Sequence, residues 1–173
     1  MNSKSEKLAA PLPIPTTDGV FMAHYSTRGL AGLTFPSAHK QNKSSTATRT
    51  LVSAQVRRWH TITTKALNRA LTGRSPKSLP PLDLSSGTAF QQRVWNALRC
   101  IASGKTRSYT EIATTVGQPK AARAVGGACG ANPIPVFVPC HRVLAANHRL
   151  GGFSGGLDWK RTLLAREGIQ FSK

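Results

Sequence analysis

Two capping boxes and a run of stop signals constrain the middle of this chain more than any other feature. Thr88-Ala-Phe-Gln91 and Ser108-Tyr-Thr-Glu111 each set a hydroxyl three residues before a Gln or Glu. Those two side chains satisfy the orphan amides of a helix start. After the first box, Phe90, Val94, Ala97, Leu98 and Ile101 mark one apolar face, with Gly104 as the expected stop. The second opens a short helix ending at Gly117. Pro119 suits the first turn of a further helix through "KAARAVGGACG", which Asn132-Pro133 ends. Two short helices joined by a Gly-containing turn describe a helix-turn-helix. Small side chains in the second helix cost stability, but let its backbone lie close to a groove wall or another helix.

The flanks are less patterned. Residues 1–18 are polar and proline-rich and are expected to form a flexible tail. "VFMAHY" and "LAGLTF", separated by "STRG", predict a β-hairpin with Gly29 in its turn. "SAHKQNKSSTATRT" (37–50) reads as a long polar loop. From Leu51 to Leu71 apolar residues recur at helical spacing, ending at Gly73. The Pro, Ser and Gly content of 73–87 places a domain boundary there, giving an N-terminal domain over 19–81 and a second over 82–173. "IPVFVP" is expected to be extended and buried, "RLGGFSGG" to be a turn-rich loop, and "LDWKRTLLAREG" to be a final helix.

The chain has 173 residues and 3 cysteines, Cys100, Cys129 and Cys140, with no C-x-x-C pair. That usage fits a reducing, intracellular setting without disulfides. No run approaches the roughly 18 apolar residues of a membrane span, and the N-terminus lacks the apolar core of a secretory signal. A soluble, cytoplasmic protein with no membrane partner is expected, nucleoid-associated if bacterial and nuclear if eukaryotic. Lys plus Arg is 24 against 6 acidic residues. Residues 1–84 and 85–173 each carry 12 basic and 3 acidic side chains, so the excess is not a tail. A body this positive repels itself, and a polyanion relieves that repulsion; nucleic acid is the leading partner. Cys140, between Pro139 and His141, reads on these grounds as a buried packing residue, a metal ligand or a nucleophile.

"GTAFQQRVWNAL", "SYTEIA", "RAVGGACGANP", "VPCHRV", "GGFSGG" and "LLAREG", in that order and spacing, resemble the O6-alkylguanine-DNA alkyltransferases over about residues 82–169. "DGVFMAHYSTRGLAGLTFP" more weakly resembles the family's N-terminal ribonuclease H-like domain, here shortened. The resemblance implies a shortened α/β ribonuclease H-like domain, then a mainly α, winged helix-turn-helix-like domain. It implies a monomer that flips O6-alkylguanine, and O4-alkylthymine, out of double-stranded DNA. The alkyl group then passes irreversibly to the protein's own cysteine, once per molecule, without a cofactor.

Carried onto this sequence, the family pattern makes Cys140 the nucleophile in a Cys–water–His–Glu chain with His141 and Glu167. Asn132 ties the active-site turn together, and Tyr109 hydrogen-bonds the base and crowds the phosphate. The Ser154 amide faces O6, and the carbonyls of Cys140 and Val143 read the guanine amino group. Arg123 fills the vacated stack from a helix whose small residues, including Ala124 and Gly127, lie in the minor groove. An SN2 attack needs thiolate, and a helix start at Cys140 is expected to favour it. Phe153 stands where many members have tyrosine, and Cys129 at a pocket position more often filled by a larger apolar residue. The N-terminal half has no cysteines, so no metal site is expected; nor is a preceding regulatory domain expected, which argues against a transcriptional role. The rival readings are a non-catalytic lesion-binding relative, in which tryptophan replaces the cysteine, and a minor-groove regulator using only the helix-turn-helix.

Overall fold

The computed structural model describes residues 10–36 and 52–172. The expected polar loop at 37–50 lies outside the described residues. Near the N-terminus three strands, β1 (Leu12–Thr16), β2 (Gly19–Ser26) and β3 (Gly29–Thr34), form an antiparallel sheet in that order. The hairpin is the expected one, with Gly29 opening β3 beyond the turn. β1 corrects the expected tail: Pro13 and Pro15 lie on an edge strand, where a missing N–H is tolerated. Ile14 pairs with Phe21 and is fully buried, so part of the "tail" belongs to the core.

On central β2, Phe21, Ala23 and Tyr25 point into the core at the period of two that a half-buried strand requires. Helix α1 (Ala54–Ala70), capped by Ser53, covers that face with Val56, Trp59, Ala66 and Leu67. The Tyr25 hydroxyl, which must find a partner when buried, donates to Thr63 Oγ1 at 2.9 Å.

The second half contains α2 (Ala89–Arg99), α3 (Tyr109–Thr115), α4 (Ala122–Gly130) and α5 (Leu157–Arg166). Strand β4 (Arg107–Ser108) pairs in parallel with β5 (Val143–Leu144). Both capping boxes are formed, by Thr88 with Gln91 and by Ser108 with Glu111. Gly117 follows α3 with φ +75°. Two boundaries differ from expectation. α2 ends at Arg99 rather than running to Gly104. α4 begins at Ala122, because Gln118–Ala121 close a turn of their own around Pro119.

The proline-rich segment expected to separate two domains is bonded to the sheet. Leu30 N–H donates to Pro81 O at 2.8 Å, and Asp83 N–H returns to Leu30 O at 2.7 Å. Asp83 also accepts from Ser26 and Arg28. One apolar cluster runs from Ile14 through Trp95 to Leu163, so the halves share a core.

The halves also meet where α1 ends against the end of α5. Gly73 has φ +76°, and a Cβ there would lie 1.9 Å from Arg166 O. Gly117 has nearly the same φ, yet nothing lies within 4 Å of its would-be Cβ. Gly117→Ala is therefore expected to cost about 1 kcal/mol, the left-handed penalty alone. Gly73→Ala must add a backbone clash and is expected to cost at least ~3 kcal/mol. Urea unfolding of the two variants measures the difference, and equal losses would mean that the contact between α1 and α5 yields freely.

Candidate active site

The segment leading to Cys140 is a buried turn, not the extended run expected. Val138 N–H bonds back to Ile134 O at 2.9 Å, and Val136 has φ +75°. That conformation is an outlier for a β-branched residue. A buried turn must satisfy its own polar groups, and prolines at 133, 135 and 139 remove three amide donors from the problem. Asn132 satisfies much of the rest. Its Oδ1 accepts from Ile134 N–H at 3.0 Å. Its Nδ2 donates to Val138 O at 2.8 Å and to Cys140 Sγ at 3.1 Å. The residue that holds the turn therefore also touches the sulfur. From the other side, Leu33 N–H of β3 donates to Pro133 O at 2.8 Å.

Cys140 then opens a 3₁₀ turn, Cys140–Arg142, as expected, but not with the expected effect on the thiol. Burial pushes the Cys140 thiol up. The Asn132 amide, the Lys160 charge and the N–H groups of Cys140 and His141 pull it down by less. The resting sulfur is thus protonated and needs a base.

His141 lies behind the turn, 1% exposed. Burial lowers its pKa more than Glu167 raises it, so the ring is neutral near pH 7. Its Nε2 is 3.1 Å from Glu167 Oε1. Facing a carboxylate, Nε2 carries the proton, which leaves the lone pair on Nδ1. Nδ1 is buried without a hydrogen-bond partner among the described residues. Burial opposes ionisation of Glu167, but hydrogen bonds from His141 and Arg142 outweigh it and lower the carboxyl to about 2. Arg142, not singled out in the sequence, contributes Nε at 2.9 Å and Nη2 at 2.8 Å, and donates Nη1 to Ile101 O. Arg166, next to Glu167 in the chain, is turned away from it and forms a two-pronged pair with Asp18, both contacts at 2.7 Å.

In front of the sulfur is a cavity of about 440 Å³. It brings together five expected residues, Tyr109, Cys129, Cys140, Phe153 and Ser154, with three glycines, 126, 130 and 152. Burial, then the nearby Cys129 and Cys140, raise the Tyr109 hydroxyl to about 12, so it is a proton donor at neutral pH. Phe153 packs edge-on against Phe35 at 5.7 Å, which ties the loop to the N-terminal half. Val143 is buried in β5 and lines none of this wall; its carbonyl accepts from Lys160 Nζ at 2.7 Å. Lys160 is fully buried on α5 and is the second residue that sequence reasoning missed. Nothing local in "LDWKRT" separates it from the chain's other lysines and arginines.

Arg123, Ala124 and Gly127 lie away from the cavity, on the exposed face of α4, whose other face buries Val125, Ala128 and Cys129. Nothing lies within 4 Å of a Cβ built at Gly127 or Gly130, so packing inside the molecule does not require those glycines.

A family model described as the DNA-binding domain of 6-O-methylguanine DNA methyltransferase matches residues 89–169. A crystal structure of Mycobacterium tuberculosis OGT in complex with DNA superimposes with TM-score 0.72 and 37% identity over 90% of each chain. The chain belongs to the O6-methylguanine-DNA methyltransferase family. A methylated-DNA–protein-cysteine methyltransferase of Mycolicibacterium paratuberculosis is 60% identical over 86 residues, 50% of this chain and 52% of that protein. Its counterpart from Mycobacterium tuberculosis is 54% identical over 101 residues, 58% of this chain and 61% of that protein. The matched part thus spans half to three fifths of these curated relatives. The small sheet plus helices agree with the alkyltransferase fold. No described helix is long and apolar enough to cross a membrane.

The depressed Glu167 carboxyl has a consequence for stability. Its folded pKa lies below the ordinary 4.5, so its contribution is complete above that value and disappears as pH falls through about 2. Glu167→Gln strands Arg142 and is expected to destabilise by ~3 kcal/mol near neutral pH. Urea titrations across the acid range should show the gap to wild type closing toward pH 2. A gap independent of pH would mean that packing, not charge, is what the glutamate provides.

Proposed function

We propose that this chain is a single-turnover DNA repair protein that transfers an alkyl group from O6 of guanine, and from O4 of thymine, to Cys140. The observation that carries the reading is the Cys140 sulfur, facing a cavity large enough for a base, with a neutral His141 bonded to an ionised Glu167 behind it. The thiol proton passes through a bridging water to His141 Nδ1, and Glu167 balances the imidazolium that forms. The thiolate attacks the alkyl carbon, the carbon–O6 bond breaks, and its electron pair stays on the guanine oxygen. Tyr109 and the Ser154 amide donate to the departing base, which offsets its developing charge. Of the two carbonyls expected to read the guanine amino group, only that of Cys140 belongs to a residue that lines the cavity. The product is a thioether, which water does not cleave, so each molecule acts once.

Guanine O6 inside a duplex is out of reach of a buried sulfur, so the nucleotide must leave the stack. The exposed face of α4 supports entry from the minor groove. Gly127 and Gly130 cost helix stability without serving internal packing, which is the expected signature of close approach by a partner. Arg123 stands on that face to fill the gap. We assign β1–β3 and α1 (19–81, extended back to β1) to a shortened ribonuclease H-like unit. Residues 82–173 form the winged helix-turn-helix-like unit, and the protein acts as a monomer without cofactor. The non-catalytic rival has no sulfur to explain, whereas this chain holds one under hydrogen bonding.

Mixing with an O6-methylguanine oligonucleotide should add one methylene to the Cys140 peptide, in a burst of one per protein, read by mass spectrometry. Cys140→Ser should abolish the gain while keeping lesion binding within about threefold. Tight binding with an unmodified wild-type peptide would favour the non-catalytic rival. Arg123→Ala should slow repair of duplex DNA by an order of magnitude or more, since unstacking costs a few kcal/mol. Transfer from free O6-benzylguanine should barely change. Equal losses on the two substrates would refute the role in extrusion.

A further inference from the structure

A fully buried lysine is rare unless it is paired with an acid, because desolvating an ammonium costs several kcal/mol. Lys160 is fully buried on α5, yet no described ion pair includes it. Its three N–H groups are spent instead on three backbone carbonyls: Val143 O at 2.7 Å, Gly152 O at 3.3 Å and Leu150 O. A Met or Leu would fill this space without the cost of burying a charge.

The carbonyls identify what the charge does. Val143 immediately follows the Cys140 turn, while Leu150 and Gly152 belong to the segment that carries Phe153 and Ser154. One ammonium thus gathers both ends of the loop that walls the cavity. The charged and titratable groups around it are Cys140, Cys129 and His141, with Arg142 and Glu167 beyond the imidazole. The Lys160 charge favours ionisation of both thiols and disfavours protonation of His141. In return the thiols oppose the burial that brings Lys160 down to about 8.

We propose that Lys160 is a positioning residue for alkyl transfer: its ammonium ties the loop from Val143 to Gly152 onto α5 and is the buried counter-charge to the Cys140 thiolate. This rests on Cys140 being the alkyl acceptor. When the thiol proton leaves, the new negative charge has two buried cations in reach, the imidazolium and Lys160, and only Lys160 is already charged at rest.

The test compares wild type with Lys160→Gln, which keeps a donor and loses the charge, and Lys160→Arg, which keeps the charge. Carbamidomethylation of Cys140 by iodoacetamide is followed against pH, peptide by peptide, because Cys100 and Cys129 also react. In Lys160→Gln the profile should move up by about one pH unit, with transfer from an O6-methylguanine oligonucleotide about tenfold slower. Lys160→Arg should keep the wild-type profile. A Lys160→Gln profile that superimposes on wild type overturns the counter-charge. Should neither variant fold, wild type still answers: the Lys160 Nζ resonance should respond to the ionisation of Cys140 and lose that step once Cys140 is carbamidomethylated, and a titration curve left unchanged by the modification overturns the proposal. Failure of the underlying reading looks different, since wild-type Cys140 would then react with iodoacetamide and never with the oligonucleotide.

Discussion

A single buried carboxylate organises this molecule. Glu167 caps the end of α5 and is nearly excluded from solvent, so its charge must be neutralised on the spot. Arg142 and His141 do this from the 3₁₀ turn, and Gly104 N–H from the loop after α2 at 3.3 Å. Arg142 extends the network to the Ile101 carbonyl at the end of α2. The C-terminal helix, the cysteine turn and α2 are thereby fixed to one another through groups that cannot move apart without exposing an unpaired charge. The same bonds fix the ring orientation and the tautomer of His141, so stability and chemistry draw on one set of contacts.

The N-terminal half supports this arrangement rather than standing beside it. β3 supplies an amide to the Pro133 carbonyl, Phe35 packs on Phe153, and Trp159 of α5 sits against Phe21 and Phe35. Asp18, in the turn between β1 and β2, holds Arg166, and Gly73 lets the end of α1 touch the backbone one residue before Glu167. Three strands and one helix thus brace the turn, the loop and the terminal carboxylate from outside the cavity.

Charge divides in a similar way. Every described carboxylate pairs with an arginine: Asp18, Asp83, Glu111, Asp158 and Glu167. The described acidic residues are consumed internally, and the described basic side chains left without an acidic partner lie at the surface, Lys160 excepted. An excess of this kind belongs to the surface, and it suits a polyanion whose backbone is read by charge and by close approach.

Much of the fold was legible because its signals are local. A capping box acts over three residues, and a hairpin or an amphipathic helix over a few more, so Thr88, Ser108, the β2–β3 turn and α1 follow from neighbours in the chain. The resemblance likewise pointed to Tyr109, Asn132, Cys140, His141 and Glu167, whose motifs are contiguous or regularly spaced. What escaped depends on distant partners. Pro13 and Pro15 looked like tail residues until an edge strand gave them a place where no donor is needed. "IPVFVP" looked like a strand, because composition does not distinguish a strand from a turn that Asn132 and β3 hold from outside. Lys160 and Arg142 were two cations among many until burial removed water and left each a fixed set of oxygens. By itself the sequence determined the helices, the hairpin and the net charge, and it named the candidate reactive residues, all of which rest on short-range chemistry. Only the tertiary structure decided which charges are buried, and with them the protonation of Cys140, His141 and Glu167, because desolvation and pairing exist only once distant segments have closed around a group.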